Sequence, residues 1–171
     1  KWEKSGKAPF MLSIELWNEC NANCLFCRDK KGKIYDFNPE GVTEGVAKGR
    51  MDSEMAIDIL RQGKDHALIA VLYTNGEPLI YKDLPKVIKS ASDNRLATMI
   101  ATNGLLLDER RGRAILEAGL DFIKIQLSGY TQDIYSIQIR NGNVEKLKEN
   151  IRNFARINKE EGYGTVILVD Y

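Results

Sequence analysis

Short apolar runs alternate with longer amphipathic segments along the chain. "MLSIELW" (Met11–Trp17) predicts a strand. "DSEMAIDILRQGKD" predicts a helix capped by Asp52 or Ser53, with Met55, Ile59 and Leu60 on one face. "ALIAVLY" (Ala67–Tyr73) is a continuous apolar run, as expected of a strand buried on both faces. "DLPKVIKSASD" then predicts a short helix and "LATMIAT" (Leu96–Thr102) a third strand. A helix from about Asp108 closes at Gly119, a C′ glycine, and "DFIKIQL" (Asp121–Leu127) is the fourth strand. A long helix follows, with Leu147, Ile151, Phe154 and Ile157 spaced for one face, and "TVILVDY" is the last strand.

The order is five strand–helix alternations without a fifth helix. It predicts an α/β parallel sheet with right-handed crossovers, either open and doubly wound or a barrel built the same way. A parallel apolar strand seldom ends a domain uncovered. Residues 1–171 are therefore expected to be one core domain, incomplete at its C-terminal side.

Each of the first four strands runs into a polar cluster: "NECNANCLFC", "TNGEPL", "TNG" and "SGY". In parallel α/β folds these segments meet at the carboxyl edge of the sheet, where such folds bind ligands. Four loops of unlike sequence thus converge on one site.

Length and charge narrow the classes. The chain has 171 residues, 43% hydrophobic and 29% charged, enough for one real core. Twenty-five basic and 24 acidic residues leave a net charge of +1, which argues against a broad nucleic-acid or anionic-membrane surface. No apolar run is long enough to span a bilayer. The three cysteines lie together in "CNANCLFC" and cannot all pair within the chain, which suits a reducing, cytoplasmic compartment.

Cys20, Cys24 and Cys27 can wrap one inorganic centre. Thiolates favour zinc or an iron–sulfur cluster. Structural zinc usually takes four protein ligands, and the only histidine, His66, falls at the far end of the second strand. A cubane held by three cysteines leaves one iron open to a substrate or cofactor. A zinc loop, or reduced thiols without metal, are the alternatives.

"CNANCLFC", with Phe26 before the third cysteine, resembles the cluster motif of the radical S-adenosylmethionine (radical SAM) enzymes. The similarity continues in order. "NGEP" (Asn75–Pro78) resembles the family's Gly-Gly-Glu-Pro motif, with Asn75 for the first glycine. "ATNGLLL" (Ala101–Leu107) resembles its third-strand segment. "IKIQLSGY" resembles its fourth-strand Ile-Ser-Leu-Asp-Gly pattern, with Gln126 for serine and Ser128 for aspartate. "IRNGNVEKLKENI" resembles the following Arg-Gly segment and helix.

The resemblance implies a TIM-like partial barrel of six units in the intact protein, and a 4Fe–4S cluster on Cys20, Cys24 and Cys27. The fourth iron would chelate S-adenosylmethionine. The Phe26 backbone would lie near the adenine. Gly76 and Glu77, beside Asn75, would take the methionyl amino group, where a bare glycine lets the main chain approach closely. Asparagine at position 75 tolerates unusual backbone angles. Thr102, Asn103, Gln126 and Ser128 would complete the cofactor pocket, and Arg140 would pair with the cofactor's carboxylate. In this family reductive cleavage of the cofactor gives a 5′-deoxyadenosyl radical that abstracts a substrate hydrogen.

The segments resemble the branch that holds peptide-modifying maturases and molybdenum-cofactor biosynthesis enzymes. A peptide or natural-product substrate is the first expectation, a nucleotide or sugar the second, and a zinc-stabilised binding module the rival from another class. An electron donor such as flavodoxin or ferredoxin is implied as a partner. "RDKKGK" (Arg28–Lys33) would guide that donor or an acidic substrate, or simply face water. Asp133 and Tyr135 are expected to be solvated helix residues. His66, Trp17 and Tyr73 are expected to be structural.

Overall fold

The computed structural model describes residues 9–27 and 49–171. The expectation for Arg28–Lys33 lies outside the described residues. Five strands form one sheet: β1 (Met11–Ser13), β2 (Ile69–Val71), β3 (Ala97–Thr102), β4 (Phe122–Gln126) and β5 (Val166–Asp170). All neighbours pair in parallel, and their spatial order is their chain order. A doubly wound sheet reverses its order at a switch point. This sheet has no reversal, so it is a segment of a barrel wall rather than an open doubly wound sheet.

Between the strands lie α1 (Ser53–Gly63), α2 (Leu84–Asp93), α3 (Glu109–Glu117), and then α4 (Gln132–Gln138) with α5 (Val144–Glu160). Asp52 caps α1 through the amides of Glu54 and Met55, and Asp108 caps α3 through Arg111 N. Such side-chain acceptors satisfy amides that a helix start leaves unpaired. Gly119 follows α3 at φ +88°, as a C′ glycine should.

The core lies between the helices and one face of the sheet. Ala70, Ile100, Ile123 and Ile125 from the strands are sealed by Leu60, Val87, Ile88, Leu116, Leu147, Phe154 and Ile157 from the helices. Each of the larger side chains contributes about 1.5–3 kcal/mol by leaving water. The opposite strand positions are more open, with Met11 and Phe122 each 41% exposed. One face of the wall is therefore dry, and the other is left for a site.

Three expectations are corrected. The face of α1 rotates: Met55 is 58% exposed, and Ala56 with Leu60 turns inward instead. The β1 ladder stops at Ser13, short of Trp17. Beyond it the chain changes partner: Met51 N donates to Leu16 O at 2.9 Å, and Trp17 bridges Arg50 in antiparallel sense. Tyr135 is not solvated; α4 exposes Ile134 and Ile137 and buries Tyr135 completely. Asp133, on the same helix, is exposed as expected.

Candidate active site

The carboxyl ends of the strands enclose a cavity of about 300 Å³. Cys20, Cys24, Phe26 and Cys27 line it from the segment after β1, Gly76 and Glu77 from after β2, Thr102 and Asn103 from the end of β3, and Gln126 from β4. Nine of the residues singled out from sequence thus share one cavity. A second cavity, of about 290 Å³, lies between Pro85 and Arg110 and has no thiol or carboxylate in its lining. The first is where the chemistry is.

Close backbone approach fixes the first two loops. A Cβ on Gly76 would lie 1.8 Å from Trp17 O and 2.9 Å from Asn18 Cα, so only glycine fits there. Next to it, Glu77 N donates to Glu19 O at 2.8 Å. Asn75, exposed, donates its amide to Glu15 Oε1 at 2.6 Å. It does not use the left-handed region: among the described residues only Arg95 does so without being glycine.

Glu77 ties the second loop to the third. Its side chain is buried, and Oε1 accepts from Thr102 Oγ1 at 2.6 Å and from Leu79 N at 3.0 Å. Oε2 accepts from Asn103 N at 2.9 Å. Burial pushes the Glu77 carboxyl above the usual carboxylate range, against the three hydrogen bonds, which favour the ionised form. Glu77 thus lines the cavity and joins two of its walls.

Asn103 carries the linkage to the cysteines. Its Nδ2 donates to Asn21 Oδ1 at 2.9 Å and stands 3.6 Å from Cys20 Sγ. Ala22 N donates to the same sulfur at 3.4 Å. Cys24 is anchored from the other side, bridging Ile139 while Leu25 N donates to Gln138 O at 2.8 Å. None of the three cysteines is in a disulfide.

Asn75, Ser128 and Arg140 stand outside this cavity's lining. Arg140 Nη1 reaches Asn23 Oδ1 at 3.4 Å, and its amide donates to Asn23 O. Ser128 Oγ is buried with no hydrogen-bond partner among the described residues. His66 is exposed before β2, at the end of the sheet away from the cavity. Sequence reasoning missed Lys124, which lines the cavity and pairs with Asp170 at 2.7 Å, and gave Tyr73 and Ile139 no place in it. Period-two alternation held the signal for Lys124, because a residue two before Gln126 shares its face.

Among the described residues no three His, Cys, Asp or Glu side chains converge as ligands of a single metal ion. A tetrahedral zinc site needs that convergence. A cubane takes each thiolate on a separate iron, and three thiols around one cavity fit that demand.

A barrel wall with its ligand cavity at the strand ends, lined by three thiols of one loop, defines an α/β enzyme core of the iron–sulfur type. Residues 14–170 match the Radical SAM superfamily, and the chain belongs to it. Members of that family are enzymes that use a 4Fe–4S cluster and S-adenosylmethionine.

The probable GTP 3′,8-cyclase of Methanococcus maripaludis is 29% identical over 156 residues, covering 91% of this chain and 48% of that protein. The PqqA peptide cyclase of Granulibacter bethesdensis is 29% identical over 155 residues, covering 90% of this chain and 37% of that protein. This chain thus spans less than half the length of both. Streptococcus suis SuiB bound to S-adenosylmethionine shares the fold, with a TM-score of 0.70 at 17% identity, over 94% of this chain and 33% of that one. No helix among the described residues is long and apolar enough to cross a membrane.

Proposed function

We propose that this chain is the cofactor-binding core of a radical SAM enzyme that modifies a peptide or peptide-like natural product. The observation that carries the reading is the sharing of one cavity by the thiols of Cys20, Cys24 and Cys27 and the ends of the next three strands. The three thiolates would hold the cluster, and the neighbouring strand ends would hold S-adenosylmethionine. When bound, this pair supplies a reductively generated 5′-deoxyadenosyl radical able to take a hydrogen atom from an unactivated carbon.

The chain's own residues bind, orient and shield. Phe26, half-exposed at the cavity wall, offers an apolar face for the adenine. The main chain at Gly76, held against Trp17, presents backbone polar groups to the methionyl end. Thr102 and Asn103, fixed by Glu77, and Gln126 from β4 form the wall beside the sugar. Asn75, Ser128 and Arg140 would act from outside that wall, by supporting the loops that form it.

The peptide class draws on the PqqA peptide cyclase and on the SuiB structure bound to its precursor peptide SuiA. The GTP 3′,8-cyclases support a nucleotide as the second reading. Under either reading the intact protein would take an electron donor of the flavodoxin or ferredoxin kind and work in a reducing, cytoplasmic setting.

Anaerobic reconstitution followed by iron, sulfide and zinc analysis tests the core of the proposal. About four irons and four sulfides per chain are expected, with 5′-deoxyadenosine formed when dithionite and S-adenosylmethionine are added. Cys24→Ala should abolish both. One zinc with no sulfide, or cofactor cleavage that survives Cys24→Ala, would sink it.

A further inference from the structure

Tyr135 is fully buried, yet its hydroxyl finds no hydrogen-bond partner among the described residues. A phenol at such a position is costly, because its polar group has given up water for nothing, whereas phenylalanine would fill the same space without the loss. The surroundings are built for this ring. A Cβ on Gly142 would lie 2.4 Å from Tyr135 Cε1 and 2.8 Å from its hydroxyl oxygen, so the bare backbone there walls the phenol in.

One helical turn further on, the chain bridges the middle cysteine. Tyr135 and Ile139 are one helical turn apart, and Ile139 N donates to Tyr135 O at 2.9 Å, so the two side chains share a face. Ile139 bridges Cys24 and lines the cysteine cavity.

We propose that the Tyr135 hydroxyl is a hydrogen-bond donor to the Cys24 sulfur in the cluster-loaded protein, and that it raises the cluster's reduction potential. This rests on the reading that Cys24 ligates the cluster. The proton stays on the phenol oxygen and no covalent bond changes. The effect is electrostatic: a donor to a ligating thiolate favours the extra electron of the reduced cluster. Tyr135 is a positioning and tuning residue that acts on the cluster through Cys24.

The test is an EPR-monitored redox titration of reconstituted wild type and Tyr135→Phe. The variant should load the same iron and sulfide and should need a lower potential for reduction. At a fixed potential its ratio of reduced to oxidised cluster should fall by about threefold to tenfold, tenfold corresponding to 59 mV for one electron. Apo Tyr135→Phe should unfold at the same denaturant concentration as wild type or higher.

A loaded variant with an unchanged potential, or a variant whose apo form loses much stability, would overturn the inference while leaving the cluster assignment standing. A wild-type protein that takes up no cluster would overturn both. If Tyr135→Phe cannot be loaded, ENDOR of the reduced wild-type cluster decides instead. An exchangeable proton strongly coupled to the cluster, lost in D2O and not assigned to Asn103, is expected, and its absence refutes the hydrogen bond.

Discussion

Thr102 Oγ1 donates to Glu77 Oε1 at 2.6 Å, and both residues are buried where the loop after β2 meets the end of β3. The two lie far apart in sequence, and neither could hold the other without the parallel register that brings β2 beside β3. Glu77→Gln keeps the shape but replaces one acceptor oxygen with an NH2 group facing donors. A loss of about 1–3 kcal/mol in unfolding free energy is expected, measured by urea denaturation of the apo protein.

The same carboxyl gives a pH prediction. Burial raises the folded-state pKa of Glu77 above its ordinary 4.5. Between that value and the folded one, the folded protein holds a proton that the unfolded chain has released, so stability falls as pH rises through the window. Wild type should therefore gain on Glu77→Gln as the solution is acidified from neutral toward 4.5. Paired urea titrations at several pH values cancel the contributions common to both proteins. A gap that narrows on acidification would mean that the hydrogen bonds outweigh burial.

Gly76→Ala places a methyl group 1.8 Å from Trp17 O, a backbone atom that cannot rotate away. The loops after β1 and β2 must part to admit it. We expect a loss of about 1–3 kcal/mol in urea denaturation, and weaker binding of S-adenosylmethionine by calorimetry on the reconstituted protein. Unchanged binding with reduced stability would confine this contact to the fold.

Arg95 sits just beyond α2 at φ 61°, the left-handed region that costs a side-chain-bearing residue about 1–2 kcal/mol. Arg95→Gly should raise the unfolding free energy measured by urea denaturation, by up to about 1 kcal/mol after the extra chain entropy of glycine is offset. This position lies between α2 and β3 at the amino end of the strands, so cluster loading should not change.

What could be read from the chain follows from how each signal is encoded. The strands were legible because "ALIAVLY" and "LATMIAT" are apolar runs too short for helices, and α5 because Leu147, Phe154 and Ile157 repeat at helical spacing. The cavity was legible through residue type: cysteines and Asn-Gly or Gly-Glu pairs at strand ends have few uses. α4 was not legible, because "QDIYSIQ" buries Tyr135 and exposes both isoleucines, the reverse of what hydrophobicity suggests. Nor was the partner of Glu77, since a carboxylate that binds its own chain has the same sequence as one that binds a ligand. Lys124 escaped because its neighbours, Ile123 and Ile125, drew attention to the other face of β4.

Asn103 joins the end of β3 to the cysteine loop, and its removal separates positioning of the loop from stability of the fold. Nδ2 donates to Asn21 Oδ1 at 2.9 Å and lies 3.6 Å from Cys20 Sγ, while Oδ1 accepts from Leu105 N at 3.0 Å. Asn103→Ala deletes these contacts at a half-buried position, so about 1 kcal/mol of stability should be lost. The cluster should suffer more: with the loop less restrained and one donor gone from Cys20, iron should pass to a chelator several-fold faster. Asn103→Asp keeps the acceptor for Leu105 N but sets a negative charge beside a ligating thiolate. Repulsion in that setting should make iron loss faster than in the alanine variant. Stopped-flow absorbance with an excess of chelator measures both rates. Equal rates for alanine and aspartate would mean that the Asn103 contact with Cys20 is steric rather than electrostatic.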